Sequence, residues 1–78
     1  MNWNYRIIRK RTSFGDLYQV HEVYYTDSGE VSSWTENSIN PAGETLAELK
    51  KDFSRQLEAL EKPFLDYDDL VRKNGEKR

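Results

Sequence analysis

Tyr18-Gln19-Val20-His21-Glu22-Val23-Tyr24-Tyr25 is the stretch whose reading decides the fold. Valine and tyrosine at this density suit a pleated, half-buried surface. Successive side chains of a strand point to opposite faces, so the neighbouring Tyr24 and Tyr25 put one ring on each side of their sheet. A one-residue change of register would exchange Val20, Glu22 and Tyr24 with His21, Val23 and Tyr25 between the faces, which leaves the facing open at this level.

Upstream, Trp3, Tyr5 and Ile7 alternate with Asn4, Arg6, Ile8 and Lys10, predicting a strand over residues 3–10. The polar stretch 11–16, with Gly15 beside Asp16, reads as a hairpin connection leading into a second strand over 17–25. Downstream, Asp27-Ser28-Gly29 suits a type I turn that closes with its glycine in the left-handed region. A short third strand over 31–36 follows, and then a loop over 36–43 in which Pro41 removes a ladder donor.

Thr45 stands three residues before Glu48, the spacing of a capping box at a helix start. Leu46, Leu49, Phe53, Leu57, Leu60 and Phe64 then recur at steps of three and four, one apolar stripe opposite Lys50, Lys51, Arg55, Glu58 and Lys62. Pro63 stops the helix. Burying six such side chains would contribute on the order of 10 kcal/mol gross, so this reading expects loss of Phe53 to unfold the chain. Phe64 and Leu65 fold back, residues 66–72 make a short C-terminal helical turn, and 74–78 form a disordered tail. The expected fold is α+β: one domain over 1–73, a three-stranded antiparallel β-meander with one amphipathic α-helix packed on one face.

At 78 residues the chain has room for one small domain and none for a deep enclosed active site. It has no cysteine to supply a disulfide or a thiolate, which agrees with a cytoplasmic location. No run approaches the roughly 20 apolar residues that cross a bilayer, and residues 1–6 lack the apolar core of a signal peptide, so no membrane association is expected. His21-Glu22 begins a zinc-protease pattern, but Tyr25 occupies the position of the second histidine. Asp66, Asp68 and Asp69 lack the glycine and distal glutamate of a calcium loop. No serine has a histidine placed locally to activate it, and the four glycines are isolated. These readings predict a non-enzymatic protein with no metal, cofactor or small-molecule substrate.

Seven of the ten aromatic residues fall within the first 34 positions, on or beside the predicted sheet. A lone helix covers one face only, so the other needs a protein partner or a second copy in a homodimer, with Trp3, Tyr5, Tyr24, Tyr25 and Trp34 as the contact residues, unless the C-terminal segment Phe64 to Val71 wraps round and covers it within the chain. The alternative is nucleic-acid binding by Arg6, Arg9, Lys10 and Arg11 beside the tyrosines. A net charge of −2 and the absence of an RNA-recognition signature weigh against it. A third reading is an inhibitor, encoded by a mobile element, of a host enzyme or defence complex; nothing in the residues selects it.

Glu22-Val23-Tyr24-Tyr25-Thr26-Asp27-Ser28-Gly29, Trp34-Thr35-Glu36, Gly43-Glu44-Thr45-Leu46-Ala47-Glu48-Leu49 and Ala59-Leu60-Glu61-Lys62-Pro63-Phe64-Leu65-Asp66 together resemble a group of small bacterial proteins of unknown function. That resemblance implies a shared fold and no mechanism. The strand-strand-strand-helix order also resembles the N-terminal domain of HicB-type antitoxins, which implies toxin masking by analogy. Such antitoxins carry a DNA-binding segment after the helix, and the chain ends too soon for one.

Overall fold

The computed structural model describes residues 2–75. Its N-terminal third is one long hairpin in which β1 (Asn2–Thr12) and β2 (Gly15–Tyr25) pair antiparallel, from Asn2 opposite Tyr25 to Thr12 opposite Gly15. Only Ser13 and Phe14 connect them, a tighter link than the polar 11–16 stretch suggests. The Thr12 hydroxyl closes it by donating to the Gly15 carbonyl (2.6 Å) and accepting from the Phe14 amide (3.1 Å). Gly15 takes φ 120°, a conformation that a side chain would strain.

This register settles the facing of the strands. Trp3, Tyr5, Ile7 and Arg9 share one face with Tyr24, Glu22, Val20 and Tyr18. Asn4, Arg6, Ile8 and Lys10 share the other with Val23, His21, Gln19 and Leu17.

β3 (Val31–Trp34) enters through the predicted turn, where Gly29 has φ 88° and the Thr26 amide donates to the Glu30 carbonyl (2.8 Å). Beyond Trp34 the chain stays beside β2 without regular pairing, through the Thr35 amide on the Glu22 carbonyl (3.0 Å) and the Ile39 amide on the Val20 carbonyl (2.8 Å). The third strand therefore ends before the expected Glu36.

The C-terminal part departs further from the sequence reading. α1 (Leu46–Leu57) continues as a single 3-10 turn over Glu58–Glu61, and after Pro63 the two-residue β4 (Leu65–Asp66) pairs parallel with β1, Ile8 opposite Leu65 and Arg9 opposite Asp66. The sheet is thus mixed and four-stranded, in the order β3-β2-β1-β4, rather than a three-stranded meander. Two residues are too few to show a period, which is why β4 left no pattern in the sequence.

A second helix, α2 (Tyr67–Gly75), replaces the expected short turn. Asp66 starts it by accepting from the Asp68 amide (3.0 Å), and Asp68 and Asp69 in the first turn with Arg72 and Lys73 in the last suit the helix dipole. Asn74 and Gly75, assigned above to a tail, close this helix, with the Asn74 side-chain amide donating to the Leu70 carbonyl (2.8 Å). The remainder of that tail, 76–78, lies outside the described residues.

The two helices take opposite faces. Tyr67 of α2 meets Trp34 edge to face (6.2 Å between ring centres) and lies under the Lys10 ammonium, so α2 covers the Ile8–Val23 face. There Ile8, Val23 and Leu70 are buried, ringed by Tyr25, Val31, Trp34, Leu65 and Tyr67. The arrangement is α+β, but with a helix on each side rather than one helix on one side.

Candidate interaction surface

α1 begins as its sequence dictates. The Thr45 hydroxyl accepts from the Glu48 amide (3.1 Å), and the Glu48 carboxylate returns to the amide of Glu44 (2.9 Å), one residue before the cap. What the sequence does not dictate is the helix's rotation about its own axis. Asp52 fixes it, accepting from the Tyr5 hydroxyl (2.9 Å), the Ala42 amide (2.9 Å) and the Gln56 side-chain amide (3.2 Å). The Ala42 amide, the Tyr5 hydroxyl and other donors hold the Asp52 carboxyl below its ordinary range, while burial and the bond to Asp52 raise the Tyr5 phenol to about 12.

Gln56 and the small Ala59 are consequently the buried residues of the α1 segment and its 3-10 extension. Most of the apolar stripe, a quarter-turn round the helix, points outward, while Leu49 stays half-buried. Leu46 is 84% exposed, Phe53 58%, Leu57 62%, Leu60 65% and Phe64 46%. Phe53 is therefore no core residue, and the expectation that its loss unfolds the chain is corrected: the anchor from α1 to the sheet is polar.

The sheet extends the stripe. Tyr18, 52% exposed, meets Phe64 edge to face at 5.3 Å, and the Arg9 guanidinium lies 4.9 Å from the centre of the Phe64 ring. Leu60, Phe64 and Tyr18 border an open cleft of about 420 Å³ floored by Ile7 and Val20.

The five aromatics expected to form one contact face are divided between two. Trp3 and Tyr5 meet edge to face (5.3 Å, 88°), and Trp3 lies opposite Tyr24, whose hydroxyl donates to Glu22 (2.8 Å). These three are on the α1 side, where Trp3 stays about half exposed and Tyr5 is tied to Asp52. Tyr25 and Trp34 are on the α2 side, packed around the core; the Tyr25 hydroxyl donates to Asn4 (2.7 Å) and accepts from Arg6 (3.2 Å). The side that α1 was expected to leave bare is the one α2 covers. Exposed apolar side chains are grouped on α1, Phe64 and Tyr18, with Trp3, Leu17, Val71 and Phe14 exposed elsewhere, and the outward turn could have been suspected only from a buried-type alanine at 59 and the phenol–carboxylate pair of Tyr5 and Asp52.

The four cations of the nucleic-acid reading are also divided. Arg6 donates to the Pro63 carbonyl (2.7 Å) besides Tyr25, and Lys10 stands over Tyr67; on the other face Arg9 pairs with Asp66, and Arg11 lies 3.9 Å from Asp68. The Arg9 bond holds Asp66 below the usual carboxylate range. His21 is fully buried, its Nδ1 3.0 Å from the Thr35 carbonyl oxygen, and burial pushes its pKa down. Among the described residues, no group of three or more His, Cys, Asp or Glu is placed to hold a metal ion, and no helix is long and apolar enough to cross a membrane.

No protein-family model, no curated protein and no solved structure matches this chain.

Proposed function

We propose that this chain is a non-enzymatic protein-binding module whose contact surface is the outward face of α1, comprising Leu46, Phe53, Leu57 and Leu60, continued by Phe64 and Tyr18. The observation that carries this reading is the amount of apolar surface left in water. With about 200 Å² for a fully exposed large side chain, these six residues present on the order of 700 Å², above the roughly 300–600 Å² of the largest patch on an ordinary monomer. Aromatic and leucine side chains grouped beside a cleft are the composition of an interface centre.

Two further features support it. The only imidazole of the chain is buried against Thr35, away from solvent, where it cannot serve as an exposed general base. Arg6, Arg9, Lys10 and Arg11 each have a partner and fall on two faces, so they do not form the continuous basic track that phosphate binding uses. Masking of a toxin, the role implied by the HicB resemblance, would be one form of such binding.

The test is a pair of substitutions on the exposed stripe. Phe53→Ser with Leu57→Ser should abolish capture of any partner while circular dichroism shows an unchanged fold. Undiminished binding by this variant would refute the reading.

A further inference from the structure

The four cations at the sheet each have a partner, but Lys51 and Arg55, one turn apart on α1, and Lys62, just past the 3-10 turn, enter no ion pair among the described residues. Asp52 attracts Arg55 without pairing to it, since its oxygens are engaged by Tyr5, Ala42 and Gln56. Arg55 and Lys62 border an open cleft of about 410 Å³, within the 300–1,000 Å³ range of ligand pockets. Trp3 and Tyr5 of β1, the buried Ala59 and the exposed Glu58 complete its lining. β4 pairs with β1 only at Ile8 and Arg9, so no strand lies along this edge at the start of β1, and residue 59 contributes only a methyl group. The cleft stands apart from the apolar stripe, because Arg55 is on the far side of α1 from Phe53 and Leu57.

We infer that this cleft binds a nucleotide, with the base against Trp3, the ribose hydroxyls on Glu58 and the phosphate on Arg55 and Lys62. Three kinds of group converge there, and one ligand has to answer each of them. The Trp3 indole, 47% exposed and steadied edge to face by Tyr5, offers an aromatic surface on which a base can stack. The Arg55 guanidinium is a planar fork that matches two oxygens of a phosphate, and the Lys62 ammonium adds a compact charge beside it.

Glu58 narrows the class. A carboxylate at the rim accepts hydrogen bonds only, and it repels an anion that brings no donor of its own. A simple aryl phosphate or aryl carboxylate therefore meets two of the three groups and is opposed by the third. A ribose supplies the hydroxyl donors that turn Glu58 from an obstacle into a contact. Lys51, which with Arg55 lines the adjoining cleft beside Ala42 and Gly43, carries the positive field further along α1. The same chemistry describes a free nucleotide and the 5′-terminal nucleotide of a single strand.

Titration of the full chain with adenosine 5′-monophosphate, followed through the two indole N–H signals in NMR spectra, tests this. Trp34, packed against Tyr67 on the α2 side, is the internal control. The Trp3 signal should shift and saturate while that of Trp34 stays still. Arg55→Ala and Lys62→Ala, both at exposed positions, should each weaken binding by about tenfold. Glu58→Ala should weaken adenosine monophosphate while leaving phenyl phosphate no weaker. A 5′-phosphorylated tetranucleotide that binds more tightly than the mononucleotide identifies the end of a single strand as the source, and one that binds no more tightly identifies the free nucleotide. A Trp3 signal unmoved at about 10 mM adenosine monophosphate, equal movement of both indoles, or binding indifferent to Arg55→Ala would overturn the inference. So would adenosine, phenyl phosphate or glycyl-phenylalanine binding as tightly as the nucleotide. Phe53→Ser with Leu57→Ser should leave the response intact, which keeps this test separate from that of the binding role.

Discussion

The two sides of the sheet are held by different physics. Under α2, Ile8, Val23 and Leu70 are removed from water and packed among Tyr25, Trp34 and Tyr67. Under α1, a phenol, a carboxylate and an amide do most of the holding, with Ile7 and Ala59 buried between, while Leu46, Phe53, Leu57 and Leu60 face outward. Burial is strong and indifferent to direction, whereas hydrogen bonds are weaker in net terms but fix orientation. The difference teaches that an amphipathic pattern identifies a helix and its apolar stripe but not what that stripe covers.

The largest expected effect breaks the dry side. Ile8→Ala should cost about 2–5 kcal/mol, comparable to the whole stability of a domain this small, and appear as a broad or absent urea transition. Next comes the polar side: Tyr5→Phe should lower the melting temperature by less than Ile8→Ala and increase protease access to α1, because Asp52 loses the donor that ties the helix to β1. Phe53→Ser should change stability by no more than about 1 kcal/mol, as expected for a side chain already largely in water. If Phe53→Ser proved as damaging as Ile8→Ala, the contrast between the two sides would be false.

Acid acts on the two sides at different pH. His21 keeps a lowered pKa on the α2 side, so the unfolded chain takes up a proton near pH 6.5 while the folded chain does not. Stability should therefore be level above about pH 6.5 and fall as pH drops below it. His21→Gln should flatten that segment of a urea-midpoint profile. Asp52 and Asp66 have lowered pKa values, so their contribution is present above about 3.8 and is lost as pH falls through their lower folded values. The smallest effect belongs to Phe14, wholly exposed at the tip of the β1–β2 hairpin, where Phe14→Ser should leave stability unchanged.

Much of the order of elements was legible. Alternation at 3–10 and 17–25, Gly29 in its turn, and Thr45 with Glu48 located the first three strands and the start of α1, because each is a local property of a few neighbouring residues. The parallel edge strand was not legible, since Leu65-Asp66 becomes a strand only by meeting Ile8 and Arg9. α2 was underestimated because Tyr67, Leu70 and Val71 are sparse beside their charged neighbours, and of the three only Leu70 is buried. The binding surface was sought among Trp3, Tyr5, Tyr24, Tyr25 and Trp34. The strand register divides those five between two faces, and it depends on contacts between residues far apart in the chain.

The parallel pairing of β4 with β1 also sets an order of events for a growing chain. Arg9 meets Asp66 across 57 positions, so the first strand is made early and must wait for nearly the last element before its second edge is satisfied. Contacts of such separation slow folding, and the β1–β2 hairpin should form well before closure. Until then β1 offers an open ladder to any neighbouring nascent chain, which makes the interval before Leu65 docks the period of greatest exposure to misassembly.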